Sequence, residues 1–380
     1  MRIVFWQHIL SMHDLPYIVE LNNNPLVNEV VVVASSLTNT RREMGWDIDF
    51  PGLERCVVVT NPQLNEIENI LKQDISGSIH LFTGLNAFPN VFRAFKLSLK
   101  YNLRRGIITE RPLTYGAGVD WLKPLWLHKI RFWLYNKKYI NAIDYVFEIG
   151  ENSIHFYKSL SSHWRVFPFA YCTRSNKERI PNSKPSLLQV CFVGSLCKRK
   201  DVKTLLKAVK TMNDEGYIDK YEVKIIGHGD EETKLKDFVS TNQLVNVSFL
   251  GTKPNKELTS FLVGQDILVL PSIHDGWGAV LNEALQAGLY TICSDRCGGK
   301  EMLCDSYLGA VFNMGNYMQL ANILNKTIDN IESLRGMQEK RRYWAEMSIS
   351  SKVVANYLFE CLLGNNPAKP WNTPTENYQI

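Results

Sequence analysis

Asp266-Ile-Leu-Val-Leu-Pro-Ser-Ile-His-Asp-Gly-Trp-Gly-Ala-Val-Leu-Asn-Glu-Ala-Leu-Gln-Ala-Gly288 changes character three times along its length. Ile267 to Leu270 is a short apolar run, the pattern of a strand buried on both faces in a parallel sheet. Pro271 and Ser272 end it, and a loop with two glycines around Trp277 follows. Ala279 to Ala287 has helical character and is stopped by Gly288. Asp275 lies in the loop and Glu283 inside the helix, eight positions on. A strand, a glycine loop and a helix start together make a concave site whose free N–H groups suit a phosphate. An ordinary strand-to-helix crossover of an α/β protein has the same outline, so the rest of the chain has to decide.

The chain has 380 residues, more than one core usually covers, and two domains are expected. Apolar content of 45% and charged content of 21% are globular values. A net charge of +5 is mild and does not by itself indicate nucleic acid. The eight cysteines are scattered. Cys293, Cys297 and Cys304 come closest together, but no second cluster completes a zinc site, so reduced thiols are expected. Met1 to Leu10 is apolar yet broken by Gln7 and His8, which fits a first strand better than a signal peptide. No run reaches the roughly 18 apolar residues of a membrane span.

Strands are predicted at Arg2–Trp6, Val30–Ala34, Cys56–Val59, 79–82, 106–109 and Tyr145–Ile149. Helices are predicted at 64–73, 89–102 and 122–141. A Pro-, Ser- and charge-rich stretch at 172–186 reads as a linker. The alternation then restarts, with strands at Leu187–Val193, 221–226, 246–250, 266–270 and 289–293. Helices are expected at 201–213, 231–240, 255–263, 278–287 and 317–330. The predicted organisation is a first Rossmann-like domain over 1–171, the linker, a second over 187–345, and a C-terminal helix and tail over 346–380. Two doubly wound α/β sheets facing across a cleft form a natural ligand site.

The second domain opens with Cys191-Phe-Val-Gly-Ser-Leu-Cys-Lys-Arg-Lys200. Gly194 lets the backbone turn close to a ligand at a strand end. Lys198, Arg199 and Lys200 place positive charge before a helix start, which suits a diphosphate as well as it suits a solvated basic turn. Phe192-Val-Gly-Ser-Leu196 with Lys200, Ile225-Ile-Gly-His-Gly-Asp230, Val247-Ser-Phe-Leu-Gly251 and the 266–288 stretch come in an order and spacing that resembles the retaining family-4 glycosyltransferases. Ser11-Met-His-Asp-Leu-Pro16, Glu110-Arg-Pro112 and Asp275-Gly-Trp-Gly278 resemble a bacterial polysaccharide-assembly subgroup of that family.

The resemblance implies the GT-B fold of two facing Rossmann-like domains. It also implies transfer of a sugar, with retention, from a UDP- or GDP-linked donor to a glycan or lipid-linked acceptor in cell-surface polysaccharide biosynthesis. The donor is a substrate, and no cofactor is implied. Glu283 matches the acid that binds the ribose hydroxyls, and Asp275 the acid, usually Glu, that contacts the donor sugar. Lys200 matches the diphosphate lysine, with Arg199 beside it. Ser195 stands where the family commonly has Arg. The N–H groups of Gly276, Trp277, Gly278 and Ala279 are expected to meet sugar and phosphate, and Thr252 and Lys253 fall where the family lines its base pocket. His228 and Asp230 read as parts of a glycine turn. In the first domain, His13 follows strand one and Glu110 ends a later strand. The resemblance implies that His13 meets the donor phosphate or the acceptor hydroxyl and that Glu110 directs a polar group at the reacting sugar, so that these two and Asp275 are the expected catalytic residues.

No Asp-x-Asp metal motif occurs in a suitable loop, so charge stabilisation by Lys200 and helix-end N–H groups, without an obligatory metal, is expected. A sugar-nucleotide epimerase of the same fold and a non-catalytic partner in a glycan-assembly complex are the competing functions. A dinucleotide oxidoreductase is disfavoured, because no Gly-x-Gly-x-x-Gly follows the first strand. Residues 93–138 hold eleven Lys and Arg against Glu110 and Asp120, with Trp121, Trp126 and Trp133 among them. A helix of that kind lies at an anionic membrane surface or packs one face into a core. A cytoplasmic protein, peripheral on the inner face of the cell membrane in the former case, is the expected setting.

Overall fold

The computed structural model describes residues 1–36, 50–110, 125–150, 156–175, 178–181 and 184–374. Two compact units result, one from the described residues of 1–171 with 354–369, the other from those of 172–353 with 370–374.

The first unit holds seven strands: β1 (Arg2–Ile9), β2 (Glu29–Ser36), β3 (Val57–Thr60), β4 (Ser78–Thr83), β5 (Arg104–Glu110), β6 (Tyr145–Ile149) and β7 (Arg165–Phe169). They pair in the order β3-β2-β1-β4-β5-β6-β7, all parallel. Parallel pairing forces a crossover between successive strands, and helices cover the sheet. The valine run of β2 is buried, whereas the outer strand β3 is partly exposed. Trp6 and Phe82 stack at 5.8 Å in the core. The Trp6 indole donates to His80 Nδ1 at 3.1 Å, and burial pushes the His80 imidazole down to about 3, so it stays neutral. Tyr357 donates to Pro168 O at 2.9 Å, which ties 354–369 to β7.

The second unit holds β8 (Leu188–Val193), β9 (Tyr221–Ile226), β10 (Val247–Phe249), β11 (Ile267–Leu270), β12 (Tyr290–Ser294) and β13 (Gly309–Phe312). The order is β10-β9-β8-β11-β12-β13, again all parallel. The 266–288 stretch is held at both ends. Buried Asp266 accepts from Lys184 at 3.0 Å and from Arg335 Nη2 at 2.8 Å. Burial works to raise its carboxyl, but these cations hold it below the usual range. At the other end Arg341 donates to Gly288 O at 2.6 Å. The eight cysteines are all free thiols.

The predicted alternation is present, with three corrections. β7 and β13, the outermost strands on one side of each sheet, were not predicted. Both are short and carry strand-weakening residues, Pro168 in β7 and Gly309 in β13. The helix expected at 122–141 is observed as Leu125–Asn136, followed by a turn and the 3-10 segment Ile140–Ala142, while Trp121 lies outside the described residues. The fold class stands as read: two parallel-sheet, Rossmann-like α/β units.

Candidate functional site

In the second sheet the strand order reverses between β8 and β11, which pair directly. A ligand in such a sheet sits outside the carboxyl ends of the strands at the reversal point. The loops leaving these two strands carry Gly194 to Lys200 and Pro271 to Ala279. The Ile273 N–H donates to Arg199 O at 2.8 Å and joins the loops. Lys200 Nζ then lies 2.5 Å from Asp275 Oδ2. Arg199 Nη1 donates to His274 O at 2.9 Å and lies 3.4 Å from the same carboxylate oxygen. The Lys200 and Asp275 side chains are each only 13% exposed, so the pair is poorly screened by water. Burial pushes the Asp275 carboxyl up, but the Lys200 ammonium and the Arg199 guanidinium outweigh it and hold the acid below its usual range. Asp275 is therefore ionised at neutral pH.

The loop is fixed from behind. The Gly298 N–H donates to Asp275 O at 3.0 Å, and the Gly299 N–H to Trp277 O at 2.7 Å. Gly278 has φ +87°, and a Cβ there would stand 2.8 Å from Leu270 Cδ2, so only glycine fits. Among the described residues, the N–H groups of Gly276 to Ala279 meet no main-chain acceptor. They are available to a bound oxygen. The Trp277 indole is fully buried, donates to Asn282 Oδ1 at 2.7 Å and packs edge-on against Trp371 at 6.1 Å. Of Trp277 only the main chain can reach a ligand.

Glu283 stands in the first turn of helix Val280–Gln286, partly exposed, and burial alone pushes its carboxyl up to about 7. It is the reverse of Asp275: one acid is neutralised by cations, the other has none close enough to lower it. Across β8, the glycine turn after β9 packs on the Gly194 turn. Leu196 N–H donates to His228 O at 2.9 Å, and a Cβ on Gly227 would lie 1.8 Å from Gly194 O. The Gly227 N–H donates to Gly251 O at 2.9 Å, which draws the Thr252–Lys253 loop alongside. Thr252 is exposed, and Lys253 lies 3.8 Å from Glu257. Ser195 is exposed at the tip of its turn. The His228 ring meets Glu232 Oε2 at 2.5 Å, a contact on the surface.

The first unit brings His13 and Glu110 into one chain of contacts. The His13 ring lies 5.8 Å from the Tyr171 ring, and Tyr171 donates to Glu110 Oε1 at 3.2 Å. The Tyr157 hydroxyl donates to Glu110 O at 3.1 Å. Sequence reasoning missed Asp14, beside His13. Its carboxylate accepts from Tyr17 at 3.0 Å and from Gln7 at 3.3 Å. Burial pushes it up to about 6 against the pull of hydrogen bonds from Tyr17 and Ser11, and the nearby Glu110 charge adds to the rise. The only available signal was an acid inside the loop that follows β1. Residues 111 and 112, the rest of the Glu110 loop, lie outside the described residues.

Residues 173–346 match the sequence model of the family described as glycosyl transferases group 1. An uncharacterized glycosyltransferase of Methanocaldococcus jannaschii is 28% identical over 155 residues, covering 41% of this chain and 42% of that protein. The amylovoran biosynthesis glycosyltransferase AmsK of Erwinia amylovora is 29% identical over 144 residues, 36% of this chain and 35% of that one. The chain thus matches less than half the length of these curated relatives. The structure of Alr3699/HepE from Anabaena in complex with UDP aligns with a TM-score of 0.69 over 96% of this chain and 100% of that one, at 13% identity, a likeness of fold. Residues 173–346 are thus similar to the group 1 glycosyl transferases, and the two Rossmann-like units match the GT-B fold.

Proposed function

We propose that the protein moves a sugar, with retention at the anomeric carbon, from a UDP- or GDP-linked donor to a glycan or lipid-linked acceptor in surface-polysaccharide synthesis. The observation that carries this proposal is the pairing of Lys200 and Arg199 on Asp275 at the β8/β11 reversal, one loop before a cation-free Glu283. Lys200 and Arg199 take the diphosphate. Glu283, as a carboxylate, accepts hydrogen bonds from the ribose hydroxyls. The Gly276 to Ala279 N–H groups hold phosphate and sugar oxygens. Asp275 passes from its cation pair to the sugar hydroxyls as the donor arrives.

In the reaction the bond from the anomeric carbon to the phosphate oxygen breaks, and its electron pair leaves with the diphosphate. The acceptor oxygen bonds to the same face of that carbon, and its proton passes to the departing phosphate. Stabilising the growing phosphate charge is the main catalytic task, which we assign to Lys200, Arg199 and the loop N–H groups rather than to a metal ion. Thr252 and Lys253 border the base, and Gly194 and Ser195 the diphosphate. His13 and Glu110 serve the acceptor side. The similarity to AmsK, a glycosyltransferase of amylovoran biosynthesis, supports the polysaccharide setting.

The membrane part of the proposal rests on helix Leu125–Asn136. It exposes Trp126 (58%), Ile130 (49%), Trp133 (46%) and Leu134 (56%), while Phe132 turns into the core. Lys129, Arg131, Lys137 and Lys138 flank these side chains, and Lys137 Nζ lies over the Trp133 ring, 5.4 Å from its centroid, within reach of a cation–π contact. Aromatic and basic groups on one exposed helix suit an anionic inner-leaflet surface. No helix among the described residues is long and apolar enough to cross a membrane.

Incubation with UDP- and GDP-sugars, with and without a lipid-linked or oligosaccharide acceptor, tests the proposal. Acceptor-dependent release of nucleoside diphosphate is expected. Conversion of the donor sugar without acceptor would instead support the epimerase, and binding without turnover the non-catalytic partner.

A further inference from the structure

The loop over 275–279 takes its shape from outside itself. The Asp275 N–H donates to Arg296 O at 3.2 Å, the Gly298 N–H to Asp275 O at 3.0 Å and the Gly299 N–H to Trp277 O at 2.7 Å. All three partners come from the turn after β12 and the 3-10 segment Gly298–Met302 that follows it. A Cβ on Gly299 would lie 2.6 Å from Trp277 O, so loop and segment stand at closest approach. In a close-packed interior, a shift of one moves the other. The loop therefore has two anchors, the buried Trp277 indole and the segment Gly298–Met302.

Both anchors meet one residue from late in the chain. The chain leaves the second unit after Val353, gives 354–369 to the first and returns at Pro370. There the 3-10 segment Pro370–Asn372 buries Trp371 completely. Its ring meets Trp277 edge-on, with centroids 6.1 Å apart and planes at 88°. Its indole N–H donates to Glu301 Oε1 at 2.9 Å, inside Gly298–Met302. The returning chain is itself pinned. The Trp344 indole donates to Thr373 O at 2.9 Å, and Cys304 Sγ lies 3.7 Å from the same oxygen. A large, rigid side chain with one ring contact and one directed N–H bond has little freedom to move.

We propose that Trp371 is a positioning residue for this loop: its ring holds Trp277, its N–H holds Glu301, and together they fix where the Gly276 to Ala279 N–H groups point. It touches no ligand. The positioning stands on contacts within the second unit, whereas its link to nucleotide affinity rests on the proposed donor site. A misplacement of about 1 Å at binding groups costs on the order of a hundredfold, so a small relaxation of the loop is enough to be measured. An ordinary core tryptophan loosens its whole unit when removed; a positioning residue loosens the loop first.

Hydrogen exchange by mass spectrometry and calorimetry on the full chain test this in Trp371→Ala, Trp371→Phe and Leu324→Ala. Leu324, equally buried in helix Tyr317–Asp329, is the control for a cavity elsewhere in the unit. Without nucleotide, Trp371→Ala should speed exchange over 273–277 and 297–301 about tenfold or more, with β9 changing no more than in Leu324→Ala. Whichever of UDP and GDP the parent binds should bind Trp371→Ala about tenfold or more weakly and Leu324→Ala unchanged. Trp371→Phe keeps the ring edge and loses the N–H to Glu301, so about a threefold effect on loop exchange and affinity is expected, and it carries the test if Trp371→Ala does not fold. Unchanged loop exchange in the folded Trp371 variants, faster exchange throughout the unit in step with Leu324→Ala, or a loosened loop with unaltered nucleotide affinity would each overturn the proposal. If the parent binds neither nucleotide, the transferase reading falls separately, and the exchange pattern still decides the positioning role.

Discussion

Lys200 Nζ and Asp275 Oδ2, 75 residues apart in sequence, meet at 2.5 Å where β8 and β11 lie side by side. Before a donor arrives, the proposed diphosphate cation is already neutralised by the proposed sugar-binding acid. Donor and Asp275 therefore compete for Lys200. Asp275→Asn should tighten binding of UDP or GDP alone several-fold while lowering transfer at least tenfold, as measured by calorimetry and an acceptor-dependent assay. Lys200→Ala should weaken the nucleotide at least tenfold. It should also destabilise the fold by about 1–3 kcal/mol in urea, less than a fully buried pair because Asp275 keeps Arg199 and some water. Unchanged nucleotide affinity in Asp275→Asn would remove the competition.

Glu283 gives a pH signature. Its carboxyl sits at about 7 in the folded protein, raised by burial from the ordinary value of 4.5. A raised acid contributes stability that is fully present below its unfolded value and is lost as pH rises through the folded one. Glu283→Gln should therefore melt progressively higher than the parent chain as pH climbs from 4.5 through 7. Ribose recognition needs the carboxylate, so donor affinity should rise over the upper part of the same window in the parent and stay flat in Glu283→Gln. Thermal scans and calorimetry at pH 5, 6, 7 and 8 read both.

The loop glycines are steric requirements. Gly278→Ala places a Cβ 2.8 Å from Leu270 Cδ2 at φ +87°, and a loss of about 1–3 kcal/mol is expected. Gly227→Ala meets the Gly194 carbonyl at 1.8 Å, where main chain cannot yield as a side chain can. It should destabilise the second unit more than Gly278→Ala does in urea unfolding. Equal or smaller losses would show that the two turns shift readily.

Tyr171 links His13 to Glu110 and was not among the residues suggested by sequence. Tyr171→Phe keeps the ring against His13 and removes the hydroxyl that donates to Glu110. Transfer should fall roughly three- to tenfold, the scale of one hydrogen bond to a carboxylate, with UDP affinity unchanged. A matching loss of UDP affinity would place Tyr171 on the donor side instead.

Trp126→Ala with Trp133→Ala should reduce sedimentation with vesicles containing about 30% anionic lipid by at least tenfold, and leave turnover of a soluble acceptor intact. Equal binding of parent and variant, or equal binding to neutral vesicles, would remove the membrane role of this helix.

Much of this architecture can be read along the chain because parallel strands buried on both faces must be apolar runs, as in Val30 to Val33 and Ile267 to Leu270. Two of the four edge strands, β7 and β13, escape this logic. Arg165-Val-Phe-Pro-Phe169 and Gly309-Ala-Val-Phe312 are short, and Pro168 and Gly309 read as breakers. At the site, local spacing shows Asp275, Glu283 and the 198–200 cations as elements of a pattern. It cannot show that Lys200 closes on Asp275, since that depends on which strands become neighbours. The same limit hid the fate of Trp277. A tryptophan between two glycines in a ligand loop invites contact with the ligand, but Trp371, far along the chain, packs against its indole in the core. Asp14 and Tyr171 matter through partners brought from other elements, and no spacing rule finds such pairs.

The central claim is that the loops leaving β8 and β11 hold a nucleoside diphosphate through Lys200 and Glu283. Calorimetric titration of UDP and GDP into the parent chain, Lys200→Ala and Glu283→Ala at pH 8 tests it most directly. One nucleotide should bind the parent chain, and each substitution should weaken it at least tenfold while the variants remain folded. Binding of neither nucleotide to the parent, or equal binding by all three proteins, would contradict the claim.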